Sequence, residues 1–163
     1  MWKIIKWLDN YLEATLCSLL LASMSVIIML QIIGRTVGFG ISWNEELARY
    51  MYIWLIYIGC AYAVKLRRHI KMEAVLLMVK RRGHLAFALI SNLLFLIFAL
   101  VVVYEAYPML YKMHFVRKQF SPAMRLPMSY AFASVMVGFS LVSIRLIQDS
   151  IRLVLQYRRG EEI

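Results

Sequence analysis

The chain has 163 residues, of which 63% are apolar, with a mean hydropathy of +0.69 and a formal net charge of +10. That composition excludes a water-soluble globular domain, where about half the residues are apolar. The positive charge does not mark a nucleic-acid binder either, because the basic residues lie in short segments between long uncharged runs.

In chain order, residues 2–13 set Trp2, Ile5, Leu8 and Leu12 along one helical face, while Lys3, Lys6, Asp9 and Glu13 mostly point elsewhere. That pattern predicts an interfacial amphipathic helix, with Trp2 and Trp7 suited to the headgroup layer. Ala14 to Gly34 carries no charge. A hydrocarbon core of about 30 Å needs roughly 20 residues of helix, so this is a first span over about 14–34. It is too long for a signal-peptide core and no small-residue cleavage site follows, so it reads as a retained span. Gly38-Phe39-Gly40 predicts a short external turn.

Ser42-Trp43-Asn44-Glu45 has the form of a capping box, in which the Ser42 hydroxyl and the Glu45 carboxylate each accept from the other's backbone amide. A helix over 43–67 follows. Its uncharged part, Tyr50 to Val64, spans only ~22 Å. Glu45, Glu46 and Arg49 therefore occupy the first two turns, either as a solvated, dipole-matched helix start or at bilayer depth and satisfied by a partner. Glu45 and Arg49 stand at i and i+4 with the acid first, the favourable order for an ion pair. Trp43, Leu47, Tyr50, Trp54, Tyr57 and Ala61 form a seam on this helix that packs internally or on another protein.

Residues 70–80 predict a second interfacial helix, with Met72, Val75, Leu76 and Val79 on one stripe. A third span over 83–105 holds Asn92 as its strongly polar residue, and Glu105 and Pro108 mark its end. Asn92 and Gln31 are expected to make interhelical hydrogen bonds. Residues 109–121 predict a surface helix or ordered loop. Pro122 and Pro127 bracket the start of a fourth span over 126–145, with Pro127 tolerated in its first turn, and a basic amphipathic tail follows. The reading is thus a single all-α membrane domain over 1–163 with four transmembrane helices. If the chain starts inside, thirteen basic residues lie in inner segments and six in outer ones, which predicts both termini in the cytoplasm and inner segments that meet anionic lipid.

The chemistry-bearing residues are sparse. No phosphate-binding GxxxxGK loop occurs, and His69, His84 and His114 lack paired-ligand spacing. Cys17 and Cys60 lie in separate spans and read as apolar packing residues. Nothing points to an enzyme, a cofactor or a bound metal. An ion-coupled carrier needs an ionisable group near the midplane, and the centres of all four spans lack one. A four-span quinone-linked oxidoreductase would need paired outward-facing cysteines, and a small homodimeric antiporter would need a midplane acid. A stand-alone structural or regulatory membrane protein is harder to set aside on these grounds.

Two blocks carry a family resemblance. Trp43-Asn-Glu45-Glu46-Leu47-Ala48-Arg49-Tyr50, with Trp54, Gly59 and Arg68-His69-Ile70 after it, and Ser121-Pro122-Ala123-Met124-Arg125-Leu126-Pro127, with Gly138-Phe139 and Arg145, resemble the small membrane subunit of TRAP (tripartite ATP-independent periplasmic) transporters. Arg68 and Glu73 stand where that family often has glycine and aspartate. The resemblance implies residence in the bacterial inner membrane beside a large multispanning subunit, which carries the substrate and sodium sites. It also implies a periplasmic binding protein that delivers an organic acid such as a sialic acid, a C4-dicarboxylate or a sugar acid. By the same analogy, Trp43, Glu45, Glu46, Arg49, Tyr50 and Trp54 are candidates for the large-subunit interface. Arg68 and His69 are candidates for a cytoplasmic interface, and Lys112, Arg117, Lys118 and Arg125 for contact with the binding protein.

Overall fold

The computed structural model describes residues 2–38, 42–66 and 81–159, with the side chains of 11–38, 42–66 and 85–159 among them. The expected interfacial helix at 70–80, together with Arg68 and His69, lies outside the described residues. Four long helices make up the fold: α1 (Trp2–Thr36), α2 (Trp43–Lys65), α3 (Arg81–Tyr111) and α4 (Ser129–Arg159). Each contains a stretch long and apolar enough to cross a membrane. At about 1.5 Å per residue, even the 23-residue α2 reaches ~34 Å.

Several boundaries differ from the sequence expectation. The segment 2–13 is continuous with the first span in one 35-residue helix rather than a separate interfacial helix. Gly38 lies just beyond its end with φ +82°, a left-handed conformation that glycine adopts without steric cost. Pro108 does not stop α3, which runs on to Tyr111 and then widens into a π-helical turn, Lys112–Val116. Pro108 lacks an amide and so cannot make its own helical hydrogen bond, but the helix absorbs that loss near its end. The last helix starts at Ser129, two residues beyond Pro127, and continues through the basic tail to Arg159. Ser42 makes no capping bond: it already has helical angles (φ −69°, ψ −26°), whereas a capping residue sits in the extended region, and the Glu45 carboxylate is taken by Arg49.

Among the described residues, the helices pack in the order α1, α2, α4, α3, and no comparable packing closes the row between α1 and α3. The core lies where α2, α4 and α3 meet. Ala61 and Ala99 are fully buried beside Val64, Val142 and Leu146, with Phe95, Phe139 and Cys60 around them. Small residues at these positions let helix backbones approach, which matters in lipid, where association rests on contact and not on release of water. The closest approach is at Gly138 of α4, where an added Cβ would stand 2.5 Å from the Tyr57 Cβ of α2.

The buried stripe of α2 runs Asn44, Ala48, Ile58, Ala61 and Val64, one step around from the expected aromatic seam. Within that seam Ala61 is buried, Tyr50, Trp54 and Tyr57 are half-buried, and Trp43 is exposed. Tyr57 meets Phe139 of α4 at 5.9 Å between ring centroids. Lying between two helices, α2 buries Ala48 and Ala61, while Tyr57 meets α4 where Gly138 leaves room for it. Serines inside the spans, including Ser18, Ser23, Ser25, Ser140 and Ser143, return their hydroxyl protons to carbonyls four residues back. No hydroxyl donor among these is left unpaired in an apolar medium.

Candidate functional site

Polar groups gather at two levels, one at each end of the helices. At the outer level, α2 begins with Glu45 and Glu46. Glu45 accepts from Arg49 at 3.1 Å, the expected i,i+4 pair, and both side chains are largely exposed. Glu46 turns the other way and is consumed within the chain. Its Oε1 accepts from the amide of Ala123 at 3.0 Å, and its Oε2 accepts from the amide of Met124 at 2.9 Å and from the hydroxyl of buried Ser121. The carboxylate thus supplies acceptors to a loop whose backbone donors no helix or sheet satisfies.

That loop joins the π-helical turn to α4. The Ser121 amide donates to the Leu126 carbonyl at 2.8 Å, the Met128 amide to the Gln119 carbonyl at 2.9 Å, and Phe120 and Pro127 form an antiparallel bridge. Lys118 (φ 44°) and Arg125 (φ 52°) both have left-handed backbones, which is uncommon for residues other than glycine, asparagine and aspartate. Their side chains, with those of Lys112 and Arg117, are exposed. Beneath the loop lies a recess of about 260 Å³ lined by Glu46, Arg49, Tyr50, Ile53 and Phe132. Trp54, one turn below Tyr50, donates its indole N–H to the Tyr130 carbonyl in the first turn of α4 at 3.2 Å.

The six residues expected at a subunit interface therefore divide. Glu46 and Trp54 are bonded to the loop and to α4, and Tyr50 lines the recess. Trp43, Glu45 and Arg49 are exposed at the surface.

The inner level is one that sequence reasoning missed. Glu13 of α1, which helical periodicity placed off the apolar face, has a side chain only 1% exposed. Its Oε2 accepts from Lys65 Nζ at the end of α2 at 3.2 Å, and its Oε1 accepts from Arg145 Nε of α4 at 2.6 Å. Arg145 also donates to Gln148 at 2.7 Å. One carboxylate thereby ties three helices together. A signal for it did exist in the sequence: Glu13 is the last charge before the first uncharged run, and Lys65 and Arg145 are the first charges after the second and fourth, at the same membrane level.

Two further polar contacts join α4 to its neighbours, one a turn beyond Arg145 and one at the first residue of the helix. Asn92 of α3 donates to Asp149 at 3.0 Å and to Ser150 at 3.3 Å, both on α4, the interhelical bond expected for it. Gln31 makes no hydrogen bond among the described residues, so the same expectation fails there: α1 packs mainly on α2, and the half of α1 that holds Gln31 is mostly exposed. His114, in the π-helical turn, lies 2.9 Å from the buried Ser129 hydroxyl.

Fold and site define a multi-pass, all-α membrane protein in which Glu13, Glu46 and their partners, at the two ends of the spans, tie helices and loop together. The sequence pattern of the tripartite ATP-independent periplasmic transporters, DctQ component, matches residues 24–156. The chain belongs to this family of small permease subunits of TRAP transporters. It is 31% identical, over 149 residues, to a TRAP transporter small permease protein of Haemophilus influenzae, covering 90% of this chain and 89% of that one. It is 28% identical, over 153 residues, to the isethionate TRAP transporter permease protein DctMQ of Oleidesulfovibrio alaskensis. That match covers 90% of this chain and only 24% of the much longer relative.

Proposed function

We propose that this chain is the accessory membrane subunit of a bacterial inner-membrane uptake system. It packs against the scaffold of a large multispanning subunit and steadies it, while that subunit moves an organic acid delivered by a periplasmic binding protein. The observation that carries this reading is the open row of helices. α1 and α3 stand at its two ends with apolar side chains such as Leu19, Met29, Leu94 and Tyr104 more than 60% exposed. Among the described residues, a row of this kind offers broad apolar faces to lipid or to another membrane protein. The DctMQ relative supports it, since there a segment like this chain is part of a chain roughly four times as long.

Sodium coupling and the substrate site belong to the large subunit on this reading, and this chain needs no cofactor. Both termini lie in the cytoplasm, as the distribution of basic residues favours. Substrates in view are sialic acids, C4-dicarboxylates and sugar acids, and the isethionate relative adds sulfonates. Lys112, Arg117, Lys118 and Arg125 face the binding protein, whose matching surface is acidic. The test is affinity purification from native membranes in mild detergent. Recovery of a stoichiometric, much larger multispanning protein supports the reading. Recovery of the chain alone or as a homodimer, still supporting uptake in liposomes, would refute it in favour of a stand-alone four-helix protein.

A further inference from the structure

We propose that Glu46 is a positioning residue for docking: it holds the loop between α3 and α4 in the conformation that presents Lys118 and Arg125 toward the periplasmic binding protein. The inference rests on the reading that this loop meets that protein.

Three observations converge on it. Lys118 and Arg125 flank the Phe120–Pro127 bridge, and both have left-handed backbones where glycine would be cheaper. Strain of this kind persists only where the surroundings fix it, and it gathers at functional segments. Secondly, neither side chain has an acidic partner among the described residues. Two long cations therefore occupy strained positions without an ion pair among the described residues, and their charge is left available to a partner. Lys112 and Arg117 differ, since they line a recess that also holds Glu105.

Thirdly, most bonds that shape the loop are internal to it. Ser121 pairs with Leu126, Gln119 with Met128, and the Arg125 amide donates to the Ser121 carbonyl at 3.0 Å. The three bonds to Glu46 come from α2, a different element. Through them the first turn of α2 sets where the loop stands. The same bonds join the two sequence blocks that mark the family, 75 to 78 residues apart, into one device. The partner that fits is an acidic protein surface, met at a rim where charge governs association rate and salt dependence.

The experiment uses this chain with its large subunit in proteoliposomes and titrates the substrate-loaded binding protein, reading initial uptake at low and physiological salt. K118A/R125A should raise the half-saturating concentration of binding protein by about tenfold, flatten its salt dependence and leave the maximal rate unchanged. E46Q keeps the shape of the side chain but turns an NH₂ toward amide donors. It should shift the same quantity several-fold in the same direction, as should S121A, while the large subunit copurifies undiminished. A nitroxide on R125C should also gain mobility when E46Q is added.

If K118A/R125A shifts the half-saturation but E46Q does not, or the label mobility is unchanged by E46Q, Glu46 does not position the loop and the inference falls alone. If K118A/R125A leaves half-saturation unchanged, the loop is not the docking surface and both readings fall. Loss of the large subunit from E46Q would instead place Glu46 at the intersubunit contact and overturn the proposal.

Discussion

Replacing Glu13 with alanine should do more damage than any single change at the Glu46 end of the helices. The Glu13 side chain is 1% exposed, and those of Lys65 and Arg145 are 11% and 9% exposed. Removing the carboxylate leaves two buried cations without the acceptor they share. Deleting one partner of a buried ion pair costs about 3–5 kcal/mol, because the remaining charge is left uncompensated. For a chain of this size each kcal/mol lowers the melting temperature by roughly 2–4 °C, so Glu13→Ala should melt about 6–20 °C below the parent. Thermal unfolding of the purified chain in detergent, followed by circular dichroism, reads this directly.

Two companions sharpen the test. Glu13→Gln keeps an acceptor and should fall between parent and alanine variant. The triple variant E13M/K65M/R145M removes the carboxylate together with both cations that share it and should be less destabilised than Glu13→Ala. Added salt should narrow none of these gaps, because the network is shielded from solvent ions. A Glu13→Ala protein melting within about 2 °C of the parent, a shift worth 1 kcal/mol or less, would refute the assignment of Glu13 as the tie between three helices. So would a triple variant less stable than Glu13→Ala.

Gly138→Ala places a methyl group 2.5 Å from the Tyr57 Cβ and should cost about 1–3 kcal/mol by forcing α2 and α4 apart. Gly59→Ala, whose new Cβ would meet only the Cys17 sulfur at 3.9 Å, should melt no lower than the parent, since alanine favours a helix interior over glycine by about 0.5–1 kcal/mol. Asn92→Ala loses the bonds to Asp149 and Ser150 and should cost about 0.6–1.7 kcal/mol, and Asn92→Asp should be worse because it sets a second carboxylate beside Asp149. Trp54→Phe keeps the ring but frees the Tyr130 carbonyl of its side-chain donor, for a loss of about 0.5–1.5 kcal/mol. Each is read as a melting shift of the purified chain.

The sequence by itself determined the four spans, because lipid excludes charge and the uncharged runs must match the bilayer in length. It placed Glu45, Glu46 and Arg49 in the first turns of α2 and paired Glu45 with Arg49, since neighbours one helical turn apart obey a fixed geometry. It also marked Asn92 as an interhelical donor, a polar group in an apolar medium having few other choices. Tertiary structure alone decided what lies far apart in the chain: the order α1, α2, α4, α3, the 132-residue reach from Arg145 to Glu13, and the bonds from Glu46 to a loop more than 70 residues away. Local periodicity gives a helix its faces but not its neighbours. For that reason it read Glu13 as turned away from the apolar face, left open what the aromatic seam of α2 packs on, and gave Ser42 a capping role that its backbone angles rule out. Which neighbour a face meets depends on how all four helices fit together, and small residues such as Ala61, Ala99 and Gly138 settle that by where they let backbones come close.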